Sequence, residues 1–334
     1  MSQGGLLQLQ WRPFGFALPQ PLVTAAGTVQ QRRGWLLRLQ SPQGDLGWGE
    51  AAPLDGQLEP LAAAFAALDA SYGTAELERL LQAGQLPPTL AFALGAALAE
   101  LAGLPQRRWL PPPPAARLLP AGAAAIDVLE QLGPELGPAP VFKWKLAVCA
   151  DGLERELLEQ LLQRLPATAR LRLDANGGWS RATAAAWAGR LAGEPRLQWL
   201  EQPLAPADQA GLEALAAQVP VALDESLQCD PGLRSSWPGW QVRRPSQEGD
   251  PRVLLAALER GRPRLMLSTA FETGIGRRWL EHLAALQAEG PTPAAPGLAP
   301  GWQAPGALAS ADPAVVWAAA GQPTAAQISR GQQP

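Results

Sequence analysis

The chain has 334 residues, 47% of them apolar and 17% charged, a balance that supports a large core and excludes global disorder. Lys and Arg number 27 against 30 Asp and Glu, a net charge of -3, which disfavours a sequence-independent nucleic-acid binder. Two cysteines cannot build a disulfide scaffold and fit a reducing compartment, and the single histidine, His282, excludes multi-histidine metal sites.

The first 14 residues lack a basic segment followed by an apolar core, so no secretory signal is expected. The longest apolar stretch, residues 91–104, is interrupted by Glu100 and falls short of the roughly 20 residues that span a bilayer. A soluble, cytoplasmic protein is the expectation. Residues 34–40 alternate weakly and read as a strand, and residues 44–50 as a turn into a second, together an antiparallel hairpin. Residues 58–104 are rich in Ala and Leu at helical spacing, as at Leu94, Leu98 and Leu101. Four prolines at 111–114 then form a stiff linker. A small α+β domain over residues 1–110 is predicted, followed by a second domain over 111–309.

In that second domain short apolar runs alternate with helical stretches. Strands are predicted at 141–148, 170–174, 197–201, 219–224, 240–244 and 264–268, with weaker ones at 118–120 and 294–298. Helices are predicted at 151–165, 181–192, 207–218, 251–260 and 276–289. Repeated β-α units imply parallel strands, and eight of them close into a barrel whose active site lies at the C-terminal strand ends. The tail, 310–334, is expected to pack back on the first domain, its last residues frayed.

Charged residues mark the ends of consecutive predicted strands. Lys143 and Lys145 share one face of a strand, because side chains alternate. Asp174, Glu201, Asp224 and Arg244 follow at steps of 29, 27, 23 and 20 residues, about one β-α unit each. Single acids at barrel ends are commonly solvated loop residues. Three on successive strands, with a Lys pair before and an Arg after, depart from that pattern. Converging carboxylates repel one another, and a hard cation with open positions, Mg²⁺, relieves the repulsion. A Lys beside such a cation and a second Lys has a lowered pKa and can remove a proton α to a carboxylate.

The ordered motifs Gly47-Trp-Gly-Glu-Ala-Ala-Pro53, Lys143-Trp-Lys145, Asp174-Ala-Asn176, Glu201-Gln-Pro203 and Asp224-Glu-Ser226 resemble those of the enolase superfamily, in its muconate-lactonizing subgroup. The resemblance implies a modified (β/α)₇β TIM-like barrel under an N-terminal α+β capping domain. It implies Mg²⁺ on Asp174, Glu201 and Asp224, Lys145 as acid and base, Lys143 as its neighbouring cation, and Asn176 and Glu225 behind them. The subgroup usually carries Lys-Pro on the sixth strand, where this chain has Arg244-Pro245. Arginine stays protonated, so two-base racemisation is disfavoured and Arg244 is expected to supply charge.

One-base syn elimination is what similarity to the o-succinylbenzoate synthase family implies. That is dehydration of 2-succinyl-6-hydroxy-2,4-cyclohexadiene-1-carboxylate through a metal-stabilised enediolate, in menaquinone or phylloquinone biosynthesis. Arg172 is similar to an Arg of that family, and Ser268 lies in a segment resembling its seventh-strand region. Both are expected to contact a small carboxylate substrate. Loops near 19–27 and 48–54 are expected to select the succinyl tail. The alternatives are another enzyme of the subgroup, a cycloisomerase or racemase/epimerase, and a non-catalytic barrel. Gly274-Ile-Gly276 suggests an anion nest. Trp48, Trp179, His282, Cys149 and Cys229 read as packing residues. No nucleic-acid or membrane partner is expected, and the sequence leaves the oligomeric state open.

Overall fold

The structure, a computed structural model, describes residues 5–24, 27–104, 108–133 and 137–321. The frayed end expected beyond residue 321 lies outside them, as do residues 25 and 26 of the first expected cap loop. The N-terminal part is an antiparallel sheet in the order β3-β2-β1-β4, built from β1 (Leu7–Thr24), β2 (Gly27–Gln40), β3 (Leu46–Ala51) and β4 (Ser71–Tyr72). The expected hairpin is β2 and β3, paired from Trp35 opposite Ala51 to Gln40 opposite Leu46. The longest strand, β1, is not among the expected elements. Prolines 13, 19 and 21 argue against a strand interior. The structure accommodates two of them in an irregularity between Ala17 and Leu22, where the register with β2 shifts.

The single helical region expected at 58–104 divides into α1 (Leu58–Ala66), α2 (Thr74–Gln82) and α3 (Pro88–Leu101), with β4 between the first two. The last of these helices lies directly on β3. A Cβ at Gly47 would stand 2.0 Å from the Ala97 carbonyl oxygen, and one at Gly49 2.1 Å from that of Ala93. Glycine at these two positions is therefore a packing requirement.

The second part is a seven-stranded sheet whose strands run in sequence order, each pair parallel. The strands are β5 (Arg117–Leu119), β6 (Val141–Lys145), β7 (Arg170–Asp174), β8 (Leu197–Glu201), β9 (Val221–Leu223), β10 (Trp240–Arg243) and β11 (Leu265–Leu267). Helices α4 (Ala124–Leu132), α5 (Asp151–Arg164), α6 (Arg181–Leu191), α7 (Gln209–Ala216), α8 (Glu225–Cys229), α9 (Leu233–Ser236), α10 (Pro251–Glu259) and α11 (Gly274–Ala288) connect or follow them. The strand expected at 294–298 is reduced to one bridge, Ser268 to Gly297. That segment still closes the curl: Ala116 N–H donates to Pro296 O at 3.0 Å, and Gly297 N–H to Leu267 O at 2.8 Å. Three prolines and a glycine between 291 and 297 leave few donors for a longer ladder.

Outward side chains of the strands, among them Phe142, Trp144 and Leu171, meet the helix layer in the largest apolar cluster. Inward, Trp199, Ala222, Val242 and Met266 fill the lumen floor. The tail helix α12 (Pro313–Ala319) puts Val316 and Trp317 against Phe14, Phe16 and Trp48 of the antiparallel sheet. Among the described residues no helix is long and apolar enough to cross a membrane.

Candidate active site

Parallel register sets Lys145 beside Asp174, and Asp174 beside Glu201. Glu201 is level with Ala222, so Asp224 stands just past the end of β9, and Arg244 just past the end of β10. Alternation sends Phe142 and Trp144 to the helix layer and both lysines into the lumen. The chain then turns sharply. Ala147 (φ 59°), Asn176 (φ 46°) and Gln202 (φ 36°) adopt the left-handed region within two residues of the ends of β6, β7 and β8. Non-glycine residues take this conformation only where the surroundings impose it.

Three polar devices hold these turns. The Asn176 N–H donates to Asp174 Oδ1 at 3.0 Å. Gln202 Oε1 accepts from the N–H groups of Asp224 (3.1 Å) and Ser226 (3.0 Å), while its Nε2 donates to Leu204 O and Ser226 Oγ. The buried Glu154 carboxylate accepts from the successive N–H groups of Ala147, Val148 and Cys149 at 2.9–3.0 Å.

The six expected charges meet at one rim. Lys143 Nζ lies 2.7 Å from Asp174 Oδ2 and 2.6 Å from Glu201 Oε1. Arg244 clasps Asp224 with Nε at 3.0 Å and Nη2 at 2.5 Å, and its Nη1 donates to Thr269 O at 2.6 Å. Of the pair Arg243-Arg244 only the second faces the lumen acids. Arg243 turns to Glu248 and Gln241. Glu225 stands behind Asp224 with one carboxylate oxygen, Oε2, buried and unpartnered.

The two lysines differ in electrostatics. Burial would lower the pKa of Lys143, but Asp174, Glu201 and Asp224 override it and raise the value. For Lys145 burial prevails, reinforced by Lys143 and Arg244 and opposed by Asp174, so its pKa falls below the usual lysine range. Burial raises Glu201, with Asp174 and Asp224 adding to the rise and Lys143 opposing it. Burial pushes the Glu225 carboxyl up to about 8, assisted by Asp224 and Asp174. Asp174 moves the other way: Lys143 and Lys145 overcome its burial and lower it.

Among the described residues no three acidic, histidine or cysteine side chains are drawn up around one point as the ligands of an ion are. Lys143 and Arg244 lie among the three acids instead. The donor chemistry nevertheless fits a hard divalent cation: three buried oxygen donors, a fourth acid behind them, and Glu201 and Glu225 carboxyls raised by burial and then by neighbouring acids.

Arg172 and the Gly274–Gly276 turn bear on two further expectations. Arg172, expected to contact substrate, is fully buried on the lumen floor. Its Nε donates to Gln198 at 2.7 Å and its guanidinium stacks on Trp199 at 4.2 Å, with both terminal nitrogens unpartnered. Alternation explains this: Arg172 points inward like Asp174, but one layer deeper. The anion nest suggested at Gly274–Gly276 is filled by the protein itself. The Glu50 carboxylate accepts from Thr273 N–H (3.0 Å), Thr273 Oγ1 (2.6 Å) and Gly276 N–H (3.1 Å) at the N-terminus of α11.

Ser268 is nearly buried at the end of β11, its N–H donating to Arg243 O at 2.8 Å. Trp179 stacks on Trp187 at 5.1 Å, Trp48 packs on Trp317, and His282 on Trp109, so all three are packing residues. Glu50, Gln202, Glu154 and Gln247 escaped the sequence reading as holders of the rim. Glu50 and Gln202 lie inside motifs that single them out, whereas Glu154 and Gln247 carry no such signal.

The family model described as enolase C-terminal domain-like matches residues 128–234. An o-succinylbenzoate synthase of Thermosynechococcus vestitus is 36% identical over 288 residues, 83% of this chain and 88% of that protein. Another, of Pectobacterium atrosepticum, is 32% identical over 203 residues, 60% of each chain. The crystal structure of o-succinylbenzoate synthase from Thermosynechococcus elongatus BP-1, complexed with Mg in its active site, superposes with a TM-score of 0.79 at 32% identity, covering 93% of this chain and 99% of that one. The L-Ala-D/L-Glu epimerase of Bacillus subtilis shares the fold at a TM-score of 0.66 and 19% identity, over 86% of this chain and 89% of its own.

Proposed function

The chain belongs to the o-succinylbenzoate synthases of the enolase superfamily, and from that membership we propose that it is a Mg²⁺-dependent hydro-lyase forming o-succinylbenzoate from 2-succinyl-6-hydroxy-2,4-cyclohexadiene-1-carboxylate. The reaction is a step of menaquinone biosynthesis, and in a phylloquinone producer of that pathway. We place it in the cytoplasm.

The observation that carries the site assignment is the convergence of Lys145, with its lowered pKa, on the rim shared by Asp174, Glu201 and Asp224. Those three acids would hold Mg²⁺, which when bound supplies positive charge to the substrate carboxylate as electrons gather there. Lys145 Nζ, uncharged, takes the proton from the carbon that bears the carboxylate. The electron pair left behind moves into the carboxylate and then into the ring as the C–O bond to the hydroxyl breaks. The ammonium of Lys145 returns the same proton to the departing oxygen, and water leaves. Nothing is oxidised or reduced, and the ring becomes aromatic.

Lys143, held charged by Asp174 and Glu201, keeps its neighbour's proton affinity low. Arg244 is committed to Asp224 and Thr269 O and cannot serve as a second base. This argues against the two-base racemase alternative. Turnover of the cyclohexadiene substrate, with and without Mg²⁺, tests the reading. Failure to form o-succinylbenzoate in the presence of Mg²⁺ would overturn it. Exchange of deuterium into both faces of an N-acylamino acid would overturn the one-base mechanism.

A further inference from the structure

The segment Glu50 to Leu54 crosses from the antiparallel sheet to the barrel rim, and three groups fasten it. Glu50 sits on the N-terminus of α11, an arrangement favoured by the unsatisfied N–H groups and dipole there. A Cβ at Gly276 would come within 2.9 Å of Glu50 Oε2, so the contact depends on glycine there. From inside the antiparallel sheet, the buried Arg32 donates to Ala52 O at 2.8 Å and Pro53 O at 2.6 Å. From the barrel, the side-chain amide of Gln247 donates to Ala52 O at 3.0 Å and accepts from Leu54 N–H at 2.9 Å.

The Gln247 amide thus copies the donor and acceptor pair of a neighbouring strand. It is itself fixed: Nε2 also donates to Ser246 Oγ at 3.1 Å. Ser246 Oγ donates to Glu272, Glu272 accepts from Thr269 Oγ1, and Thr269 O accepts from Arg244. A continuous chain of hydrogen bonds therefore runs from Asp224 through Arg244 to the backbone of residues 52–54. Pro53 and Leu54 also line a cavity of about 280 Å³ whose other walls, among them Thr28, Arg32 and Asp55, belong to the N-terminal part.

We propose that Gln247 is a positioning residue: its amide clasps residues 52–54 to the barrel rim and so sets how tightly the enzyme holds its substrate. The proposal rests on the function argued above. Gln247 hydrogen-bonds no acid of the site, so its removal leaves the proton-transfer groups in place while freeing the segment that is tied to the barrel rim three residues past Arg244. An unclasped segment must be ordered again by each substrate, at the expense of binding free energy.

The test compares Gln247→Leu, of similar volume but without hydrogen bonds, and Gln247→Glu, which keeps an acceptor for Leu54 N–H and gives up the donor. KM for the cyclohexadiene substrate is expected to rise about tenfold in Gln247→Leu, with kcat falling less than about threefold, and the Kd of o-succinylbenzoate by calorimetry to rise by the same factor. Gln247→Glu is expected to fall between, and it is the variant read if Gln247→Leu does not fold. A kcat loss with KM and product Kd unchanged marks a merely structural role and overturns the proposal, as does wild-type behaviour of the folded variant. A wild-type enzyme that fails to dehydrate the substrate overturns the parent reading instead.

Discussion

Replacing Glu50 by Gln tests whether the carboxylate that joins the antiparallel sheet to α11 is a charge the fold must pay to bury. Glu50 is 1% exposed, and burial raises its pKa from 4.5 to about 7, against the opposing hydrogen bonds of Thr273. A raised folded-state pKa means the folded protein holds a proton that the unfolded chain has lost. Stability from this group is full below about pH 4.5 and is lost as pH rises through about 7. A rise from 4.5 to about 7 corresponds to roughly 3 kcal/mol over that window. Gln cannot ionise, so Glu50→Gln lacks this slope. Urea unfolding of both proteins from pH 5 to pH 8.5 is expected to show the variant gaining on the wild type by an amount of that order, most of it before pH 8. Rearranged hydrogen bonds add an offset that does not vary with pH. Glu100, also raised to about 7, contributes equally to both curves and drops out of the difference. Parallel stability profiles would refute the reasoning.

Lys145→Ala is expected to cut turnover by at least about 100-fold with an unchanged circular dichroism spectrum, and retained activity would remove the assigned base. Glu201→Gln is expected to weaken Mn²⁺ binding, followed by electron paramagnetic resonance, by about 10-fold or more. Unchanged Mn²⁺ affinity would remove Glu201 as a ligand. Arg244→Lys keeps the charge but not the fork on Asp224, so kcat/KM is expected to fall about 10- to 100-fold with dehydration still measurable. Complete loss would mean that Arg244 does more than supply charge.

The barrel and its charged rim were legible because each carries a periodic signal. Strands β6 to β11 repeat at the spacing of a β-α unit, and the residue that ends or follows each of β6 to β10 is charged. Other features were invisible for physical reasons. In β1 the prolines that argue against a strand coincide with an irregularity that only the paired backbone reveals. Strand parity put Arg172 on the lumen face but said nothing of depth, and one layer separates a rim residue from a floor residue. The glycines at 274 and 276 signalled close approach correctly, yet the anion that approaches is Glu50, 226 residues from Gly276 in sequence. Gln247 carries no composition signal at all, because its role depends on a backbone segment brought from another sheet.

The division of labour between Lys143 and Lys145 follows from height on a single strand. Both point into the same lumen, two residues apart. Lys143 starts one layer below Asp174 and Glu201 and extends up between them, and two short ion pairs hold its proton. Lys145 stands one layer nearer the rim, where Asp174 still attracts it but burial and the fixed charges of Lys143 and Arg244 prevail. Burial, with the fixed ammonium of Lys143 adding to it, thus suits Lys145 to the proposed role of base. On this argument Lys143→Met should raise the proton affinity of Lys145 by removing a nearby cation, and so move the low-pH limb of dehydration, where Lys145 must lose its proton, to higher pH. A pH profile of kcat/KM identical to the wild type would show that Lys143 plays no part in setting its neighbour's charge.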